Sequence, residues 1–151
     1  NGGTLVQPYL VDSIEDDSGN TTLVDHLSKG QVISKETSET VTKMLVSVVE
    51  NGFDNHAGIQ GYFVAGKTGT AQVPYKDKRG YDPNRAIHSF VGYAPAFHPR
   101  FLMFIQLNEP KGVRFASSSI TPTFHEIAKY MLSYLQIPQD IQAAPKESTL
   151  R

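Results

Sequence analysis

Cysteine is absent from the 151 residues, and so is tryptophan. Without thiols there is no disulfide frame, no thiolate nucleophile and no cysteine ligand for a metal, and the compartment is left open. Neither sign of charge is in surplus: 14 Lys and Arg against 15 Asp and Glu leave a net charge of −1. With no basic stripe, a nucleic-acid surface is not expected. No apolar run is long enough to span a bilayer. Five histidines, His26, His56, His88, His98 and His125, show no ligand spacing and fall on different elements. They read as surface or loop residues, and neither a metal nor a cofactor is expected. The chain opens on Asn1 without a methionine, so it is expected to be a piece of a longer protein, and a missing targeting segment carries no meaning. Length and an apolar fraction of 39% suit one ordinary domain.

Thr4 to Ile14 and Thr21 to Leu27 read as two short strands joined by the turn Glu15-Asp16-Asp17-Ser18-Gly19-Asn20. Ser34 is placed to cap a helix from Lys35 to Asn51, stopped by Gly52. Val41, Met44, Leu45, Val48 and Val49 fall on one face of it and are expected to be a core stripe. Glu36 and Glu39 suit the start of its dipole. The charged stretch from Tyr75 to Arg85 reads as a solvated loop. Ala86 to Ala94 and Arg100 to Asn108 read as strands. Phe101 to Leu107 is apolar on both alternating faces, which predicts a strand at the centre of its sheet. Lys111 to Ile120 reads as a loop. Pro122 at the first turn opens the last helix. Its face is Phe124, Ile127, Ala128, Met131, Leu132 and Leu135, and Pro138 ends it. Residues 139–151 are polar, and a flexible tail is expected there.

The chain is organised around Gly66-Lys67-Thr68-Gly69-Thr70-Ala71, at the end of the strand-like run Gly61-Tyr62-Phe63-Val64-Ala65. Glycine lets a ligand approach the main chain. Threonine supplies hydroxyls on an extended backbone, and lysine favours an anion. Residues 61–68 also fit the phosphate-loop pattern G-x-x-x-x-G-K-[ST]. That pattern needs a loop within it and a helix after it. Tyr, Phe, Val and Ala at the variable positions favour a strand, while Gly69 and Pro74 oppose a helix. Without a helix N-terminus there is no dipole for phosphate.

Lys67-Thr68-Gly69 is a K-T-G motif of penicillin-binding proteins and serine β-lactamases. Other segments extend the match in order: Asn1-Gly2-Gly3 with Pro8; Val48-Val49-Glu50-Asn51-Gly52; Ala65 to Gln72; Phe90-Val91-Gly92-Tyr93-Ala94-Pro95; and Asn108-Glu109-Pro110-Lys111. Together they make the chain resemble the C-terminal half of a class B, monofunctional penicillin-binding-protein transpeptidase domain. Residues 1–138 would be that part.

The resemblance implies an α/β fold of the α+β type. An antiparallel sheet would carry the K-T-G strand at an edge, packed by a long helix and a C-terminal helix. It implies acyl transfer: a serine attacks D-alanyl-D-alanine of a peptidoglycan stem peptide, and an amine resolves the ester into a cross-link. β-Lactams mimic the donor. Lys67 would add positive potential and help proton movement. Thr68 and Thr70 would bind the substrate carboxylate, and the backbone N–H of Thr70 would be one oxyanion donor. Gly69 would leave room for the peptide to lie along the strand edge. No serine in the chain begins S-x-x-K, so the nucleophile must come from elsewhere. Ser18-Gly19-Asn20 mimics the family's S-x-N, but it follows Asn-Gly-Gly where the family's motif precedes it. The missing N-terminal part is expected as a second chain or a swapped copy. The expected location is the extracytoplasmic face of a bacterial membrane, anchored by a segment outside this chain. A non-catalytic β-lactam-binding or sensor homologue is the first alternative, and a P-loop nucleotide-binding protein the second. After Lys111 the family's glycine- and alanine-rich link is replaced by Phe115-Ala116-Ser117-Ser118-Ser119-Ile120-Thr121.

Overall fold

The computed structural model describes residues 1–26, 28–52 and 55–141. The chain divides into two compact units, 1–41 and 42–151.

In the first unit, two small antiparallel pairs replace the two longer strands that the residues suggest. β1 (Thr4–Val6) pairs with β4 (Ser28–Gln31), with Thr4 opposite Gln31. β2 (Ser13–Glu15) pairs with β3 (Thr21–Leu23), with Ser13 opposite Leu23. Pro8 lies between β1 and β2; it has no N–H to give a ladder, which fits the break there. At the β2–β3 tip Asp16 accepts the N–H groups of Ser18 and Asn20, both at 2.9 Å, and the Asn20 side-chain amide. The Asn20 amide, then the backbone donors, hold the Asp16 carboxyl below its usual range. Gly3 takes a φ of 87°, and a Cβ there would run into the Ile33 carbonyl. Only glycine fits.

α1 (Lys35–Asn51) begins where Ser34 Oγ accepts the Thr37 N–H at 3.1 Å, the expected cap. Its buried face is rotated from the expected stripe. Val46 and Val49 are buried, while Val41 and Met44 are exposed. The apolar residues wrap too far round the helix for spacing alone to say which flank the sheet covers.

The second unit is built on a three-stranded antiparallel sheet in the order β5-β6-β7: Ala65–Pro74, Tyr81–Ala94 and Phe101–Asn108. The K-T-G strand is at an edge, as the family resemblance implies. β6 takes the centre expected for Phe101–Leu107, and β7 is the other edge among the described residues. On β7, Phe101, Met103 and Ile105 pack on the core, whereas Leu102 and Phe104 are 67% and 60% exposed. Its two apolar faces are therefore not both covered among the described residues. β6 begins at Tyr81, so much of the expected charged loop is strand; a register shift between Gln72 and Val73 lets the ladder continue to Pro74.

α3 (Thr121–Tyr134) has Pro122 in its first turn and lies on β6. Thr121, Phe124, Ala128 and Leu132 are its buried stripe, with Ile127 and Leu135 exposed at the margins. Phe124 meets Phe90 edge to face, 4.7 Å between ring centres at 63°. A Cβ on Gly92 would fall 2.7 Å from both rings, so α3 packs this close only over glycine. A short helix, α2 (Ala116–Ser119), lies in the segment expected to be loop. α1 reaches the face carrying Tyr93, where Thr42 Oγ1 lies 3.1 Å from the Tyr93 hydroxyl. The first residues of the expected tail are tied back: Asp140 accepts the Phe63 N–H at 2.9 Å, and the Ile141 N–H bonds the Gly61 carbonyl at 3.2 Å. Residues 142–151 lie outside the described residues.

Candidate functional site

Among the described residues β5 shares a ladder on one side only, with β6. Every second residue of such a strand aims its N–H and C=O away from the sheet, where an extended ligand could pair with them. The register sorts the side chains. Thr68 and Thr70 stand opposite Phe90 and His88, on the face that meets α2 and α3. Lys67 and Gly69 stand opposite Val91 and Ser89, on the other face. The ammonium of Lys67 bends back round the strand, with Nζ donating to the Thr68 carbonyl at 2.9 Å and lying 3.5 Å from Thr68 Oγ1. All four expected site residues, Lys67, Thr68, Gly69 and Thr70, therefore share one short edge segment, and the charge sits with the Thr68 hydroxyl.

The Thr70 hydroxyl accepts the Ala116 N–H at 3.4 Å. α2 is held in turn by His88, whose Nδ1 lies 2.8 Å from Ser119 Oγ. His88 is 1% exposed. That corrects its reading as a surface or loop residue. Strand alternation could have found it, since residues 88, 90, 92 and 94 all face inward on β6. Nothing in the sequence pairs Ala116 with Thr70.

Beyond the site strand, Arg85 on β6 forms a two-pronged ion pair with Glu109, both contacts at 2.7 Å. Hydrogen bonds from Arg85 hold the Glu109 carboxyl below its usual range, and the same bonds raise the guanidinium. A cleft of about 470 Å³ lies nearby, lined by Asn84, Ala86 and His88 on β6 and by Pro110, Gly112 and Arg114 on the loop after β7.

The competing nucleotide motif lacks its structural requirements. Residues 65–74 run on as strand through Lys67 and Thr68, and no helix follows. Ser18-Gly19-Asn20 sits on the exposed β2–β3 tip. Among the described residues no group of three or more His, Asp or Glu gathers as a metal site.

An edge strand bearing K-T-G-T, backed by a central strand with F-V-G-Y-A and a C-terminal helix, defines a transpeptidase-like domain. The chain belongs to the penicillin-binding protein transpeptidase family: residues 1–129 match the family described as the penicillin binding protein transpeptidase domain. It is 38% identical to stage V sporulation protein D of Bacillus subtilis, over 91% of this chain and 21% of that protein. It is 33% identical to penicillin-binding protein PbpB of Mycolicibacterium smegmatis, over 96% of this chain and 24% of that one. Among solved structures, penicillin binding protein 3 from Mycobacterium tuberculosis complexed with ampicillin superposes with a TM-score of 0.83 at 30% identity, over 96% of this chain and 34% of that one. The chain thus spans a fifth to a third of the length of these relatives. The family resemblance read from the K-T-G segment and its neighbours is borne out.

Proposed function

We propose that this chain forms the K-T-G wall of the cleft in a peptidoglycan D,D-transpeptidase that cross-links stem peptides by serine acyl transfer and is acylated by β-lactams. The observation that carries this is the family's motif on an edge strand, with the Lys67 ammonium beside the Thr68 hydroxyl and Thr70 on the same strand. Residues 1–138 are the C-terminal part of the catalytic domain. Thr68 and Thr70 grip the terminal carboxylate of the donor peptide, and Gly69 leaves its backbone room to pair with the strand. The Thr70 N–H is one of two oxyanion donors, and Lys67 supplies positive potential near the reacting serine. That serine lies upstream of Asn1, in a part that also covers Leu102 and Phe104 and pairs with the edge of β7. The parent protein works at the outer face of a bacterial membrane, held there by a segment outside this chain; among the described residues no helix is long and apolar enough to cross one.

Fluorescent penicillin tests this directly. The isolated chain takes no label, while a protein restoring the upstream part is labelled at its serine. Labelling of the isolated chain would overturn the assignment of the nucleophile. A complete domain that binds penicillin without a covalent bond would instead favour a non-catalytic homologue.

A further inference from the structure

We infer that His88 and Ser119 are positioning residues that set the Thr70 hydroxyl as a donor toward bound carboxylate. The inference rests on the reading of Thr70 given above and adds the device that orients it.

A threonine hydroxyl has one proton and two lone pairs, and it rotates to suit its surroundings. In the native fold the Ala116 N–H lies on Thr70 Oγ1 at 3.4 Å. An amide can only donate, so it claims a lone pair. The hydroxyl proton is left for an acceptor on the ligand. A hydroxyl without this amide could as readily turn its lone pairs to the ligand, which is repulsive when the ligand is an anion.

The position of the Ala116 amide depends on α2. That helix has four residues, Ala116–Ser119, and is far too short to hold itself together. Tertiary contacts must fix it at both ends. At the first end Ala116 is 1% exposed in the core. At the last, Ser119 Oγ lies 2.8 Å from His88 Nδ1 and 3.4 Å from the Ala116 carbonyl. Whichever way the proton points between Ser119 and His88, the contact ties the end of α2 to β6. His88 is the register partner of Thr70, so the tie closes on the strand that it serves: Thr70, His88, Ser119, Ala116 and back to Thr70. The loop runs through two side-chain contacts and one helical turn, and no residue in it except Thr70 needs to touch the ligand.

The test uses the full-length protein and benzylpenicillin, with binding and acylation resolved by stopped flow. Ser119→Ala removes the tie with little change in volume and is expected to fold normally. It should weaken binding before acylation by about 5–10-fold, the worth of one misdirected hydrogen bond, with the acylation step itself less affected. Thr70→Val should weaken binding at least as much. In the Thr70→Val background Ser119→Ala should add nothing, because the hydroxyl it orients is gone. His88→Asn, which keeps a polar atom for Ser119, should bind more tightly than His88→Ala. If His88→Ala fails to fold, the serine variant decides alone. Wild-type binding in Ser119→Ala, or an equal loss in both backgrounds, would overturn the positioning role while leaving Thr70 in place. Wild-type binding in Thr70→Val would overturn the role of Thr70 itself, and the inference with it.

Discussion

Adding one methyl to Gly92 should be among the costliest small changes in this chain. A Cβ there would stand 2.7 Å from Phe124 Cζ and from Phe90 Cε1, and 2.8 Å from Phe124 Cε2. Ordinary carbon contacts lie near 3.5–4 Å, so both rings would have to retreat by most of an ångström. Both are fully buried and locked edge to face. Overfilling a packed core costs about 1–3 kcal/mol, and two clashing rings put Gly92→Ala near the top of that range. The backbone of Gly92 does not take a positive φ, so the penalty is steric and not conformational. Urea unfolding of the complete domain measures it as a lowered midpoint at unchanged slope. Phe124→Leu removes the far edge of the ring, so the double variant should be less destabilised than the sum of the single ones by about 1 kcal/mol or more. Phe90 also lies against Gly66, where an added Cβ would meet its Cζ, so a displaced ring presses on the strand beside Lys67. Penicillin acylation should fall with stability. A Gly92→Ala protein within about 0.5 kcal/mol of wild type, or strict additivity with Phe124→Leu, would refute this account of how α3 seats the sheet.

Lys67→Ala in a protein carrying the upstream serine should slow penicillin acylation by about 100-fold or more, as loss of a preorganised electrostatic group does; near-normal rates would remove Lys67 from the mechanism. Ser34→Ala should lower stability by about 1 kcal/mol through loss of the α1 cap, read by urea unfolding, and Ser34→Gly by only a few tenths. The Glu109 carboxyl titrates lower in the folded protein than in the unfolded chain because Arg85 hydrogen-bonds its charged form. Its contribution is therefore fully present above the unfolded carboxylate range and is lost as pH falls through the folded value. Arg85→Gln should move the Glu109 titration back toward the ordinary range, followed by NMR of the side-chain carboxyl; an unmoved titration would mean that the pair is not populated in solution.

The sequence alone determined the family and most of the element list. Lys67-Thr68-Gly69, read with its ordered neighbours, named the family, and no serine of the chain begins S-x-x-K. Ser34 and Pro122 marked two helix starts, because caps and first-turn prolines act through neighbours in the chain. Two readings meet the same limit. Phe101–Leu107 reads as a central strand and Val41–Val49 as a core stripe; among the described residues β7 keeps one apolar face exposed, and α1 buries Val46 while leaving Met44 exposed. Periodicity says which residues are apolar, not which partner covers them. Only the tertiary structure decided that α2 exists, that Ser119 meets His88, and that Ala116 lies on Thr70. These contacts join residues 31 to 46 positions apart. A four-residue helix has no local signature, because its stability comes from the strand beneath it.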